Sequence, residues 1–263
     1  MKVKNIIIVG FISYIVVILS SFPATLFVKM LPLEKHNIQL SGVSGSVWKG
    51  GVDVLKKDKL ILEGFSWDIN FLHLFLLSLN LDLQAKSFNQ LFPSFNFNLD
   101  ISPFGITVKN LSFDASFSYF QKIFPFLKMS LMGNKVNSNI SVKSDIIKYD
   151  ISKSICISSP INIYLIGTSV KSSFGSFDFG NSAFLANCSD KGYKVNLSKK
   201  DNPIGLAFDF ILDYKFTYNL NVTLEPTESF PAKMLSFLPM IMEKKSDSVY
   251  ALNKKGSLNN FVK

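Results

Sequence analysis

Residues 206–224 read LAFDFILDYKFTYNLNVTL, and every even position is apolar: Leu206, Phe208, Phe210, Leu212, Tyr214, Phe216, Tyr218, Leu220, Val222 and Leu224. The odd positions are mostly Asp, Lys, Thr or Asn. Successive side chains of a strand point to opposite faces, so the stretch reads as a ladder with one dry face and one wet face. Alternation of this kind belongs to antiparallel sheet, because parallel strands are usually apolar on both faces. At ~3.3 Å per residue the stretch would span about 60 Å, several times an ordinary strand. It must either bend or cross a long curved sheet.

The same period of two recurs upstream. Phe95, Phe97, Leu99 and Ile101 alternate with Ser94, Asn96, Asn98 and Asp100, and Leu111, Phe113, Ala115 and Phe117 alternate with Ser112, Asp114 and Ser116. Shorter strands are expected at 52–55, 60–71, 78–84, 140–142, 161–165 and 193–197, with a hairpin turn at Lys56–Lys59. The apolar phase slips between Leu62 and Phe65, which predicts a bulge or tight turn at Glu63-Gly64. Helix signals are few. Asn70–Leu77 and Tyr119–Phe124 read as short helices, the second stopped by Pro125. Ser229 with Pro231 reads as an N-cap and an early helical proline, and Pro239 should end or kink that helix.

Composition narrows the class. The chain has 263 residues, 48% hydrophobic, with a formal charge of +9. That length suits one medium domain or two small ones, and the apolar share excludes wholesale disorder. All 28 basic residues are lysine. Residues 1–50 hold five Lys against one Glu, whereas 201–232 hold one Lys against five acids. This pattern is not a nucleic-acid groove, which would gather basic residues on one element. Basic ends beside an apolar segment fit anionic lipid surfaces better.

One stretch is long enough to cross a bilayer. Lys2 and Lys4 precede an uncharged run from Asn5 to Val28, closed by Lys29. About 20 apolar residues cross a ~30 Å hydrocarbon layer, and the leading lysines should hold the N-terminus in the cytoplasm. A cleaved signal peptide is the rival reading, but Ser-Ser-Phe-Pro-Ala offers no good small-x-small site. The expected organisation is a cytoplasmic tip (1–4), a transmembrane anchor (5–28) and a periplasmic β-rich domain (29–263), with a soft subdivision near 128–139. The fold class is mostly β. It consists of a single N-terminal transmembrane helix, then an elongated antiparallel sheet or sandwich, or an open β-groove, with a few short helices.

The only two cysteines, Cys156 and Cys188, both lie in the exported part. In an oxidising compartment they form a candidate disulfide; two unrelated buried thiols are the alternative. Cys156 sits between Ile155 and Ile157, so in a strand it faces away from them.

Motifs that carry chemistry are missing. His36 and His73 are the only histidines, and neither has a second ligand at metal-site spacing. Gly42-Val43-Ser44-Gly45 lacks the spacing of a nucleophile elbow, and no Gly-Lys-Ser/Thr follows to make a P-loop. No catalytic residue, metal or cofactor is therefore expected. Phenylalanine is unusually abundant at 26 copies, many on the dry side of the ladders. They make either a closed core or an open groove for acyl chains or a partner's apolar segment.

Residues 23–85 carry a more specific order of features. Pro23-Ala24 follows the apolar run, then Leu31-Pro32-Leu33, then Leu40-Ser41-Gly42-Val43-Ser44-Gly45-Ser46-Val47-Trp48-Lys49-Gly50. Phe65-Ser66-Trp67-Asp68-Ile69 leads on to Leu76-Leu77 and the strand 79–83. This order resembles protein N of the type II secretion (general secretion pathway) system, with Ser46 where that family usually has Thr. Val222-Thr223-Leu224-Glu225-Pro226, Tyr250-x-Leu252 and Gly256-x-Leu258 follow the family's order as well. The structural signature is Gly42, Gly45, Trp48, Gly50 and Trp67: the glycines permit a tight turn or positive φ, and the tryptophans pack the membrane-proximal sheet. The resemblance implies a non-enzymatic, single-pass inner-membrane protein whose partners are other secretion components and inner-membrane lipids. Nucleic acid and small-molecule ligands are not expected, an acyl chain excepted. An anchored lipid-handling protein with an AsmA-like β-groove is the alternative.

Overall fold

In the computed structural model the long alternating stretch is a hairpin. β13 (Leu206–Leu212) turns back into β14 (Thr217–Leu224), with Leu206 opposite Leu224 and Leu212 opposite Tyr218. The expected 60 Å strand is therefore two strands, and the reason that the pattern hid the turn is arithmetic. Four residues, 213–216, separate the strands, so the even positions of both stay on one face. Asp213 builds the turn: its carboxylate accepts from the N–H groups of Lys215 (2.9 Å) and Thr217 (2.8 Å). Phe216 takes the left-handed conformation (φ 59°).

The structure describes residues 20–87, 92–123, 135–172 and 175–257, together with Ile7, Gly10, Phe11, Tyr14, Val17 and Ile18. Sixteen strands form one open antiparallel sheet. In chain order they are β1 (Ile38–Ser41), β2 (Ser44–Gly45), β3 (Lys49–Lys57), β4 (Leu60–Asn70), β5 (Leu79–Ala85), β6 (Ser94–Ser102), β7 (Gly105–Ser116), β8 (Lys135–Asp150), β9 (Ile155–Ser158), β10 (Ile161–Ser172), β11 (Gly175–Ser189), β12 (Gly192–Leu197), β13, β14, β15 (Glu243–Lys244) and β16 (Tyr250–Ser257). The spatial order is β1-β3-β4-β5-β6-β7-β8-β10-β11-β12-β13-β14-β16-β15, with β2 beside β3 and β9 beside β8. It is a meander in which nearly every strand pairs with its chain neighbour. β8 begins at Lys135, inside 128–139, and pairs with β7 from Gly105↔Asp150 to Ser116↔Asn139.

Pairing carries the apolar face across the sheet, because directly opposed residues share a face. Phe208 lies opposite Leu197, Leu197 opposite Phe184, and Phe184 opposite Ile163. The series continues through Val142, Phe113 and Phe95 to Ala85. On the same face of β5, Leu83 lies opposite Trp67, which faces Gly50. The other face is polar: Asn98 Nδ2 donates to Asn80 Oδ1 (3.1 Å) and Asp82 Oδ1 (2.9 Å). A bulge keeps the apolar series in phase between β6 and β7, where Asn110 adopts φ 53°.

Short helical segments cover parts of the apolar face. The helix Ala24–Met30 lies over β3–β5, with Ala24 only 1% exposed. The helix Phe117–Ile123 sets Phe120 against Phe113 and Tyr119 against Phe92. The Tyr119 hydroxyl accepts from Ile61 N–H and donates to Ile61 C=O, both at 2.9 Å. Two helical turns, Ala232–Leu235 and Leu238–Ile241, close the far end, where Leu224, Phe230, Leu238 and Met242 form a buried cluster. Between these covers Phe95, Phe97, Phe113, Phe208 and Phe210 stay half-buried, and among the described residues no large side chain is completely buried.

Several local expectations need correcting. No residue is inserted opposite β3 at Gly64: Val52 faces Phe65 and Val54 faces Glu63 in unchanged register. Instead Gly64 adopts φ 54° and both strands change phase together, so Val52, Leu55 and Phe65 line one cavity. Ser229 caps nothing; the residue before the helix is Pro231, with no side-chain cap. Pro239 opens the second helical turn rather than ending the first, since a proline's missing N–H costs nothing in a first turn. Asn70–Leu77 is a 3-10 helix, Phe71–Leu76, whose Asn70 cap accepts from Leu72 N–H at 3.2 Å. Most of the expected anchor and residues beyond Ile123 up to Lys135 lie outside the described residues. Among the described residues no helix is long and apolar enough to cross a membrane.

Candidate functional site

The glycine- and tryptophan-bearing segment forms a strap that fastens the segment following the apolar run to the sheet. Gly42 (φ 66°) and Gly45 (φ 82°) take left-handed backbone, which lets the chain run β1, β2 and β3 in quick succession. Ser46 closes the turn into β3. Its N–H donates to Lys49 C=O at 2.8 Å, and its Oγ accepts from Lys49 N–H at 3.1 Å. Either a Ser or a Thr hydroxyl can do that. Val47 N–H donates to Phe22 C=O (2.9 Å), and Pro23 bridges to Ser46. The strap thus ties the chain at Phe22 and Pro23 to the turn into β3.

Both tryptophans belong to this end. Trp67, on β4, donates its indole N–H to Val47 C=O at 2.9 Å. Trp48 packs against Phe71, ring centroids 5.8 Å apart. Gly50 lies directly under Trp67: a Cβ there would sit 2.6 Å from Trp67 Cζ2 and 2.7 Å from Ser44 C=O. On the wet face Lys49 pairs with Asp68 at 2.7 Å, and that hydrogen bond raises the lysine pKa.

Under the strap and the helix Ala24–Met30 lies an open cavity of about 380 Å³, lined only by apolar residues, among them Phe27, Leu31, Val52, Phe65, Trp67 and Leu83. It has no polar group to orient a reaction, but its walls suit hydrocarbon.

A second constellation joins β9 to β11. These strands run side by side without a backbone ladder, and side chains fill the seam. Cys156 and Cys188 form a disulfide across it, Cα atoms 5.4 Å apart. Cys188 N–H donates to Ser158 Oγ at 2.9 Å. From the β13–β14 turn, the Tyr214 hydroxyl accepts from Cys156 N–H (2.8 Å) and donates to Ser189 C=O (2.6 Å). Tyr193 stacks edge-on to Tyr214 at 5.6 Å, and burial raises its hydroxyl pKa, with the two neighbouring tyrosines adding to the rise. Nothing in the sequence points to Tyr214 in this role, since it sits on the even series like every core aromatic.

The histidines are apart. His36 is exposed in the 3-10 turn Leu33–His36, and His73 Nδ1 lies 3.3 Å from Ser78 Oγ. Among the described residues no group of three His, Cys, Asp or Glu side chains is placed to hold a metal ion.

Comparison with known proteins follows the same residues. The family profile described as type II secretion system (T2SS), protein N matches residues 36–253, from the first strand to the last. The chain belongs to the type II secretion system protein N family. A relative in Aeromonas hydrophila, type II secretion system protein N, is 39% identical over 71 residues, 27% of this chain and 28% of that protein. The alignment thus spans little more than a quarter of that relative's length. No solved structure matches the chain.

Proposed function

We propose that this protein is a non-enzymatic inner-membrane component of the type II secretion apparatus, which aids assembly or function of the machine that exports folded proteins from the periplasm. The observation that carries this reading is the family match over residues 36–253. Residues 5–28 anchor the chain, residues 1–4 stay in the cytoplasm, and 29–263 form the periplasmic body. Its partners are other envelope components of the apparatus and inner-membrane lipids; nucleic acid is not among them. The strap supports this arrangement, since it couples the outlet of an anchor rigidly to β3 and β4 through Val47–Phe22 and Trp67–Val47. Gly42, Gly45, Gly50 and the two tryptophans are then fastening residues, not a binding site.

Deletion of the gene should lower export of folded periplasmic proteins across the outer membrane, read as substrate in the medium against substrate retained in the cell. Unchanged export, with altered outer-membrane permeability instead, would refute the reading. A second reading, that the half-covered apolar face holds an acyl chain, is favoured by the apolar cavity beside Trp67. Mass spectrometry of lipid retained by the purified full-length chain tests it, with Val52→Asp as the variant that should empty the cavity.

A further inference from the structure

The rim of the sheet nearest the strap exposes apolar side chains where turns normally expose polar ones. The strand directions fix which turns share this rim. β3 starts there at Lys49, β4 ends there at Asn70, β5 starts there at Leu79, and β6 and β7 meet there at Ser102 and Gly105. The turn between β4 and β5 exposes Leu72 (59%), Leu76 (74%) and Leu77 (77%). The β6–β7 turn, two strands and about 10 Å further along, exposes Phe104 (79%). Beside them the helix Ala24–Met30 begins, with Ala24 turned inward and Leu26 50% exposed, before it runs toward the β3–β4 turn, where Asn37 meets Asp58. Trp48 on Phe71 links the strap to the first of these turns.

Scattered exposed apolar residues are ordinary, but a contiguous group on two turns and a helix marks a surface that something covers. What covers it follows from where the apolar run ends. The chain at Phe22, where that run closes, is tied to this same rim by the Val47 N–H. Sheet twist rotates each strand by roughly 20–25° against the next, so only the turns near the strap face the same way.

We propose that this rim, carried by Leu26, Leu72, Leu76, Leu77 and Phe104, is seated in the interfacial layer of the phospholipid bilayer. The sheet then stands on the membrane rather than swinging from a flexible tether. The inference rests on the anchor reading above and goes beyond it.

The test uses the full-length chain in nanodiscs of phosphatidylethanolamine and phosphatidylglycerol. Leu76, Phe104, Phe11 and Met240 are replaced, one at a time, by p-benzoylphenylalanine, and lipid adducts are counted by mass spectrometry after illumination. Met240 is 79% exposed but lies at the opposite rim, beyond the end of β14 at Leu224. Non-reducing gels check that each variant keeps the Cys156–Cys188 bond. Positions 76 and 104 should give several-fold more lipid adduct than 240, with position 11 strongly labelled. Background labelling at 76 and 104 with strong labelling at 11 would overturn the seating while leaving the anchor standing. Background labelling at 11 as well would overturn the anchor and the seating together. In cells, adducts at 76 to a protein instead of lipid would also overturn the proposal.

Discussion

Removing the disulfide tests the seam between β9 and β11 most directly. The perturbation is the double substitution Cys156→Ser with Cys188→Ser. The two residues are 32 apart in sequence, and the chain-entropy relation for a loop of that length gives about 3.7 kcal/mol of stabilisation through the unfolded state. The folded state should keep its shape, because Ser158 Oγ on Cys188 N–H and Tyr214 on Cys156 N–H and Ser189 C=O still bind across the seam. For a domain of this size a loss of that order lowers Tm by about 7–15 °C. The assay is thermal and urea unfolding of the detergent-solubilised full-length chain, followed by circular dichroism, with and without reductant. Reduced wild type should match the double variant. A loss below about 1 kcal/mol would refute the reasoning, since it would mean that the unfolded chain already holds the two segments together. Adding Ser158→Ala to the double variant should cost more than the same change in wild type, because the remaining hydrogen bonds then carry the seam alone.

Four further substitutions follow from local geometry. Tyr119→Phe strips Ile61 of both its hydrogen bonds to the tyrosine at a site 4% exposed, and should cost about 1–3 kcal/mol in urea unfolding. Burial raises the Tyr119 pKa more than the Ile61 hydrogen bond lowers it, so the folded state holds this proton more tightly than the unfolded one. Its contribution is therefore complete below about pH 10 and is lost as pH rises through the folded pKa, and the Phe variant should show a shallower alkaline decline. Gly50→Ala pushes a methyl group into Trp67 and the Ser44 carbonyl, and should destabilise by about 1–3 kcal/mol with a shift in Trp67 fluorescence; an unchanged spectrum would count against the strap. Asp213→Ala removes the two hydrogen bonds that its carboxylate accepts from backbone N–H groups of the β13–β14 turn and should cost about 1–2 kcal/mol, whereas Phe216→Gly, which relieves a left-handed phenylalanine, should not destabilise the chain.

The mostly-β class was legible because alternation is a property of individual strands and survives any arrangement of them. Topology was not, because parity does not record a reversal: the even series runs through Asp213–Phe216 without a break. At Gly64 the sequence registered a phase slip, but not that β3 shifts phase with it and cancels the need for an extra residue. The positive φ expected of the glycines holds at Gly42 and Gly45, whereas Gly50 lies in β3 without it and is small because Trp67 packs on it. The Tyr119–Ile61 bond and the Tyr214 seam were not legible, because each joins segments more than twenty residues apart through one ordinary side chain. Prolines misled in the C-terminal region, where Pro239 sits at a first turn that only the break after Leu235 creates.

The meander has a consequence for how such a molecule comes into being. From β3 to β8 each strand finds its partner in the strand just completed, and the order resumes from β10 to β14. A chain emerging N-terminus first can therefore lay down its sheet one hairpin at a time, closing short loops and leaving no early strand waiting for a distant mate. β9 is the exception, since its fastening to β11 waits until Cys188 has arrived. Synthesis and assembly can thus proceed in the same direction over most of the sheet, each new strand laid against one already in place.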